Sequence, residues 1–249
     1  IADELGVDVE TIYGTDLYLY NRMEPSIWGA NEEFISCPQL DDLQCAYTSL
    51  QGFLKGANKQ SINVFACFDN EEVGSGTKQG AGSTFLYDAM RRINNALGKG
   101  EEEYYRALAS SFMLSADNAH AVHPNHPAKT DVNNCVYMNE GIVVKSHAGQ
   151  KYTSDAVSIA VFKGLCKKAG VPVQFFSNRS DTAGGSTLGN IAMAQVSMNS
   201  VDIGLPQLAM HSSYETAGVK DTAYMIKVME EFFNSHIEEM SGHILKVTK

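Results

Sequence analysis

The apolar positions of the chain recur with two periods. From Asp42 onward, Leu43, Ala46, Leu50, Phe53 and Leu54 repeat at helical spacing, with Gly56 as a C-terminal stop. The same period predicts helices at the very start (residues 2–5) and over residues 85–93, 101–114, 154–169 (through Val157, Ala160, Val161 and Leu165), 190–198 and 222–237. Short, largely apolar runs at 62–68, 141–145, 171–176 and 201–205 predict strands, those at 62–68 and 171–176 buried on both faces. Residues 15–20 alternate and predict a strand with one face inward. Strand, helix, strand over residues 141–176 demands parallel pairing, so the expected class is α/β, a mostly parallel central sheet flanked by helices. Between these elements, residues 21–39 carry Pro25, Gly29, Asn31 and Pro38 with little periodicity, a long connection of the kind that carries function.

Composition narrows the function classes. At 249 residues, 44% apolar and 19% charged, the chain can bury a substantial core and is not a disordered, collagen-like or coiled-coil sequence. Nineteen basic against twenty-nine acidic side chains leave a net charge of −10. Without a basic stripe interleaved with aromatics, nucleic acid is excluded as the expected partner, and anionic membranes are disfavoured. No apolar run approaches the roughly 20 residues of a membrane span. Five scattered cysteines, none in a Cys-x-x-Cys pair, argue against a disulfide framework or thiolate zinc site and suit a reduced, cytoplasmic protein. There is no initiator methionine, and Ile1 stands inside a helical pattern, so residues upstream are expected.

The candidate chemistry lies in the loops. Asp69, Glu71 and Glu72 follow the expected strand 62–68, and like charges so crowded need a cation or a retained proton. Adjacent glutamates in an extended loop face opposite ways, so one could ligate a metal while the other serves as general base; a solvated acidic loop is the plain alternative. Asp41 and Asp42 open a helix, where capping explains one aspartate and leaves a functional role open for the other. Asp117, His120, His123 and His126 fall three apart, although Pro124 interrupts any helix through them. Gly74, Gly76, Gly80 and Gly82 match neither dinucleotide nor P-loop spacing. The loop 180–189 precedes a helix whose free N–H groups suit an anion or a polarised carbonyl. Asp41, Glu71, Glu72, Asp117 and His211, all near element ends, form an oxygen-rich set suited to two divalent ions about 3.5–4 Å apart, the arrangement of hydrolases that activate water.

At the level of motifs, the chain resembles the aspartyl aminopeptidase family of cocatalytic metallopeptidases nearly end to end. The likeness rests on Pro38-Gln-Leu-Asp-Asp-Leu43, Asp69-Asn-Glu-Glu-Val-Gly-Ser75 with Gln79-Gly-Ala81, Ser115-Ala-Asp-Asn-Ala-His-Ala-Val-His-Pro-Asn125, Ser180-Asp-Thr-Ala-Gly-Gly-Ser-Thr-Leu-Gly189 and Leu205-Pro-Gln-Leu-Ala-Met-His211. The resemblance implies a phosphorylase/hydrolase-like zinc-peptidase fold and an aminopeptidase acting on peptide substrates, with an acidic first residue preferred. It implies two divalent ions, zinc or else cobalt or manganese: Asp41 bridges both, Glu72 and His211 complete one site, Asp117 belongs to the other, and Glu71 is the general base toward a metal-bound water. It also implies that His120 and the loop 180–189, with Asp181, Gly184 and Gly185, line the substrate cleft. By the same resemblance Lys145 and Tyr152 are expected to contact the first side chain, and the Asp41–Asp42 peptide is expected to be cis.

By the same resemblance, residues 1–20 are the end of an N-terminal or inserted dimerisation region and linker, residues 21–249 the metallopeptidase catalytic domain, and the protein a dimer-based homo-oligomer, possibly a dodecamer. Family members carry a further metal-binding histidine and a dimerisation insert that this sequence lacks, so a chain that truly began at Ile1 is expected to be weak or inactive as a peptidase. Gln39 also stands where family members commonly have arginine. Two competing readings are a metal-deficient scaffold acting in assembly, and phosphate or nucleotide binding by the glycine-rich loops, which the acidic charge opposes.

Overall fold

The structure, a computed structural model, describes residues 1–241 and 244–248. In chain order it runs α1 (Ala2–Leu5), β1 (Ser26–Trp28), β2 (Phe34–Cys37), α2 (Leu40–Lys55), α3 (Phe85–Ala96), α4 (Glu101–Ala109), β3 (Phe112–Ala116), β4 (Ala119–His120), β5 (Ile142–Ser146), α5 (Ala156–Ala169) and β6 (Val173–Ser177). It continues through α6 (Leu188–Ala192), β7 (Asn199–Gly204), β8 (Pro206–Leu208), β9 (Glu215–Gly218), α7 (Val219–Phe233), β10 (His236–Ser241) and β11 (Ile244–Thr248). Among the described residues no helix is long and apolar enough to cross a membrane.

Local sequence explains several boundaries. Asp155 caps α5 by accepting from Ser158 N–H at 2.7 Å, while Ser158 Oγ accepts from Asp155 N–H; at the other end Gly170 takes the left-handed conformation (φ 66°) that closes the helix. The β5–α5–β6 unit pairs in parallel as its pattern demands. β5 has period two: Ile142 and Val144 join Val201 and Ile203 of β7 against Phe162 and Leu165 of α5 and Met225 and Met229 of α7. Val143 lies on the opposite face with Tyr152 and Phe176. Lys145, two residues on, and Asp202, between Val201 and Ile203, follow the same alternation onto that second face.

The sheets are mixed. The four-stranded sheet, β3-β7-β5-β6, is parallel at β3/β7 and β5/β6 but antiparallel at β5/β7. The five-stranded sheet, β1-β2-β9-β8-β4, is antiparallel except at β4/β8. A mostly parallel arrangement therefore describes only the ladders of the first sheet.

Five sequence expectations need correction. Residues 62–68 form no strand, and Ile62 and Val64 are 63% and 39% exposed. Residues 15–20 likewise form none and expose Leu17, Tyr18, Leu19 and Tyr20. A β-propensity becomes a strand only against a partner backbone, and none of the described strands pairs with either stretch. The helix expected to reach residue 114 ends at Ala109, because Phe112, Met113 and Leu114 are drawn into parallel pairing with β7. Helix 190–198 is the shorter, earlier α6, and the tail of the final helix becomes β10 against β11.

Candidate metal centre

Each acidic loop is fixed by its own local sequence. The turn after Asp69 closes through Gly74 N–H to the Glu71 carbonyl (2.9 Å) and Ser75 N–H to the Asn70 carbonyl (2.8 Å). Gly74 is at φ 105°, which only glycine adopts readily, and a Cβ on Gly80 would lie 2.4 Å from the Ser75 carbonyl oxygen. The glycine run is thus a compact turn folded onto Ser75, with spacing and contacts explained without phosphate. Asp41 and Asp42 lead α2 but have non-helical backbone angles, and their peptide is cis, the geometry the family resemblance implies. Asp117 follows β3, with its N–H donating to the Ile203 carbonyl at 3.1 Å. His211 leaves β8 in the left-handed region (φ 65°).

These loops meet. His211 Nε2 lies 3.3 Å from Asp41 Oδ2 and 3.1 Å from Glu72 Oε2. Ligand-capable atoms of Asp41, Glu72 and His211 all fall within 4.8 Å of one another, as do those of Asp41, Asp42 and Asp117, so Asp41 is common to both groups. The Asp41 side chain is only 4% exposed, and Asp41 Oδ1 and Asp42 Oδ1 have no hydrogen-bond partner among the described residues. Burial, with Asp117 and Glu72 nearby, pushes the Asp41 carboxyl up to about 8; burial, with Asp117 and Asp41, raises Asp42 well above the usual range. Glu71 is pushed up to about 6 by partial burial and by the Asp117 and Glu72 charges. Buried carboxylate oxygens without donors, crowded beside an imidazole, are a donor set that divalent cations such as zinc fit.

The residues expected to meet substrate are spread more widely. Lys145 is buried, with its ammonium 2.9 Å from Asp117 Oδ2 and 5.9 Å from the Tyr152 ring centroid. Burial pulls this ammonium down, but Asp117, Tyr152 and Asp202 outweigh it and leave its pKa raised. Tyr152 is buried and its hydroxyl reaches Asn178 Oδ1 at 3.4 Å. His120 is exposed on β4. Asp181 is held by Arg179 through two hydrogen bonds, at 2.8 and 2.6 Å, which lower its carboxyl to about 2. Gly184 packs so closely on Asn178 that a Cβ would sit 2.9 Å from its Oδ1, whereas Gly185 faces open space.

Three buried polar residues that frame the site escaped the sequence reading. Asp202, fully buried, accepts from Thr187 Oγ1 (2.6 Å) and from Thr153 N–H and Oγ1, tying the loop 180–189 to the segment that follows Tyr152. Asn118 donates to Gln207 Oε1 (2.7 Å) and to the Leu40 carbonyl (3.2 Å), tying the Asp117 loop to the start of α2. Glu215 accepts backbone N–H groups from Asp41 and His211. Asp202 did leave a signal, as a polar residue between the apolar Val201 and Ile203, but Asn118 and Glu215 sit in polar stretches and left none.

Comparison with known proteins follows the same lines. A family model described as "Aminopeptidase I zinc metalloprotease (M18)" matches residues 1–233. The chain is 49% identical over 234 residues to a probable M18 family aminopeptidase 2 of Clostridium acetobutylicum, covering 94% of this chain and 54% of that protein. It resembles the Saccharomyces cerevisiae mApe1 dodecamer structure at TM-score 0.77 and 28% identity, covering 93% of this chain and 53% of that one. It resembles the crystal structure of an M18 family aminopeptidase from Thermotoga maritima at TM-score 0.78 and 25% identity, covering 86% and 49%. The chain spans about half the length of the curated relatives it matches.

Proposed function

The chain belongs to the M18 family of aminopeptidase I zinc metalloproteases, and from that premise we propose that it supplies the metal-binding and catalytic groups of an aminopeptidase that removes the first residue of peptides. The observation that carries the reading is the meeting of the His211 imidazole with carboxylates from two distant segments, 3.3 Å from Asp41 and 3.1 Å from Glu72. In this reading Asp41, Glu72 and His211 would hold one divalent ion and Asp41 with Asp117 the other, zinc being the family's metal. When bound, such ions polarise a peptide carbonyl and make water acidic enough to attack it near neutral pH.

The chain's own groups do the rest. Glu71 takes the proton of the attacking water onto its carboxylate and returns it to the leaving amine; a carboxyl near pH 6 can do both. Glu72, Asp41 and Asp117 would hold the ions, Asp41 giving up, on binding, the proton that burial leads it to keep near neutral pH. His120 and the loop 180–189, including Asp181, Gly184 and Gly185, line the cleft. Lys145 has two N–H donors left beyond its bond to Asp117, and with Tyr152 beside it these would receive an acidic first side chain. The unpaired cysteines suit a reducing, cytoplasmic compartment. Residues 1–20, with Leu17, Tyr18 and Leu19 exposed, are assigned to a dimerisation region and linker outside the catalytic domain of residues 21–249. A homo-oligomer is proposed by likeness to the yeast dodecamer.

The test is release of free amino acid from a panel of aminoacyl and dipeptide substrates, with and without chelator, using the longest protein that contains this chain. Chelator-sensitive release, fastest from Asp or Glu, is the expected result. Release that persists after metal removal overturns the reading; metal-free, inactive protein would favour a scaffold.

A further inference from the structure

We propose that Glu215 is a positioning residue that sets the spacing between the Asp41 carboxylate and the His211 imidazole by holding both backbones from one buried carboxylate. The inference rests on the metal-centre reading above. Glu215 is 2% exposed; its Oε2 accepts the Asp41 N–H at 2.9 Å and its Oε1 accepts the His211 N–H at 2.8 Å. Each oxygen therefore serves one side of the centre, and the two residues held are 170 positions apart in the chain.

The placement follows from topology. Glu215 opens β9 and pairs in register with Cys37, the last residue of β2. From that rung one chain departs through Pro38 and Gln39 to Asp41, while the other arrives from β8 through His211. Neither loop has a ladder of its own at that point: Asp41 has non-helical angles, and His211 is in the left-handed region, costly for a residue with a side chain. Without Glu215 both N–H groups would lose the acceptor they have among the described residues.

Burying a carboxylate is costly, and no Lys, Arg or His side chain among the described residues forms an ion pair with Glu215. A neutral acceptor on each loop would satisfy the same two groups separately, but it would not couple them. The single two-pronged acceptor makes the relative placement of Asp41 and His211 one degree of freedom instead of two. Groups that orient metal ligands from behind typically change affinity about 10–100-fold when altered.

The experiment is titration of zinc and of cobalt into chelator-treated protein, with affinity by calorimetry and ligand geometry by the visible cobalt spectrum. Glu215→Gln keeps the shape but turns an amide N–H₂ toward one of the two N–H donors. It is expected to weaken the tighter ion roughly tenfold or more and to shift the cobalt bands. Thr216→Val, which breaks the neighbouring 2.7 Å Ser36–Thr216 hydroxyl bridge on the same ladder, is expected to lower stability while leaving affinity and spectrum unchanged. A folded Glu215→Gln protein with wild-type affinity and spectrum overturns the proposal. Should Glu215→Gln fail to fold, Glu215→Asp answers the same question: it keeps the charge but is one methylene short, and wild-type affinity in it is equally fatal. A wild-type protein that takes up no metal overturns both this inference and the metal-centre reading; normal uptake with unaltered variants overturns this inference alone.

Discussion

Replacing Lys145 with methionine keeps most of the buried side-chain volume and removes the ammonium that contacts Asp117 at 2.9 Å. In metal-free protein at pH 7, the cluster of Asp41, Asp42 and Asp117 must then keep one more uncompensated negative charge or take up a proton. Proton uptake sets the ceiling on the loss: holding a proton on a carboxyl whose unfolded pKa is about 3.9 costs about 1.36 kcal/mol per pH unit above that value, or about 4 kcal/mol at pH 7. Breaking buried pairs by removing one partner costs about 3–5 kcal/mol, so the expected loss is about 3–4 kcal/mol, or roughly 6–16 °C in melting temperature. At pH 5 the same ceiling falls to about 1.5 kcal/mol.

The sign is fixed by linkage. In the variant the folded protein holds a proton that the unfolded chain releases near pH 4, so stability falls as pH rises from there through 7. The gap between wild type and Lys145→Met therefore widens with pH, and added zinc, which restores positive charge to the cluster, narrows it. Urea unfolding of chelator-treated proteins at pH 5 and pH 7, followed by circular dichroism, measures this directly. A gap that does not change with pH, or one at pH 7 no larger than the roughly 1 kcal/mol of an exposed pair, refutes the reasoning.

Other outcomes follow from the same structure. Glu71→Gln should abolish turnover while zinc stoichiometry stays normal, whereas Glu72→Gln should lose metal first; equal metal loss in both, by atomic absorption, would mean that the two roles are exchanged. Gly52→Ala puts a methyl group 2.3 Å from Met229 Cβ in the α2–α7 seam, and the resulting overpacking should cost about 1–3 kcal/mol despite alanine's better helix propensity; a more stable variant in urea would contradict the packing. Asp221 is raised to about 7 by burial, partly offset by the N–H groups of Asn139 and Gly141 that it accepts. Its folded form therefore keeps a proton that the unfolded chain loses near pH 4, and wild-type stability relative to Asp221→Asn should decline between pH 4.5 and 7.5; a constant difference would rule this out.

Where local order decided the structure, the sequence was legible. Helix α2 forms where the repeat of Leu43, Ala46, Leu50 and Phe53 predicts it, although Leu43 and Leu50 face outward and its buried side is made by Gln44, Cys45, Thr48, Ser49 and Gly52; α5 with its stop at Gly170 and the apolar run into Lys145 appear where their patterns predict. The acidic loops and His211 stood out in the sequence because carboxylates and an imidazole are costly to gather without a cation, and the structure brings Asp41, Glu72 and His211 together. Prediction faltered where a partner backbone decides. Phe112 to Leu114 carry no preference that resists either period, and β7 captures them. Ile62 to Phe68 have strand character without a described neighbour to pair with. Glu215 was invisible for a different reason: its role lies in two hydrogen bonds to residues 174 and 4 positions away, and nothing in the identities of Tyr214 or Thr216 announces them.

The seam at Gly52 reaches further than its own contacts. Gly52 stands nine residues beyond Leu43, where the regular turns of α2 begin beside Asp41 and Asp42, about 14 Å at 1.5 Å per residue, while its neighbour Met229 belongs to the helix that grows out of the strand begun by Glu215. Both arms of this pair of tongs are clasped at the glycine and open onto the candidate metal centre. A wedge driven between them at that distance would change the jaw, so if the proposed centre takes up a cation, its affinity is expected to gauge from afar how tightly two helices are pressed together.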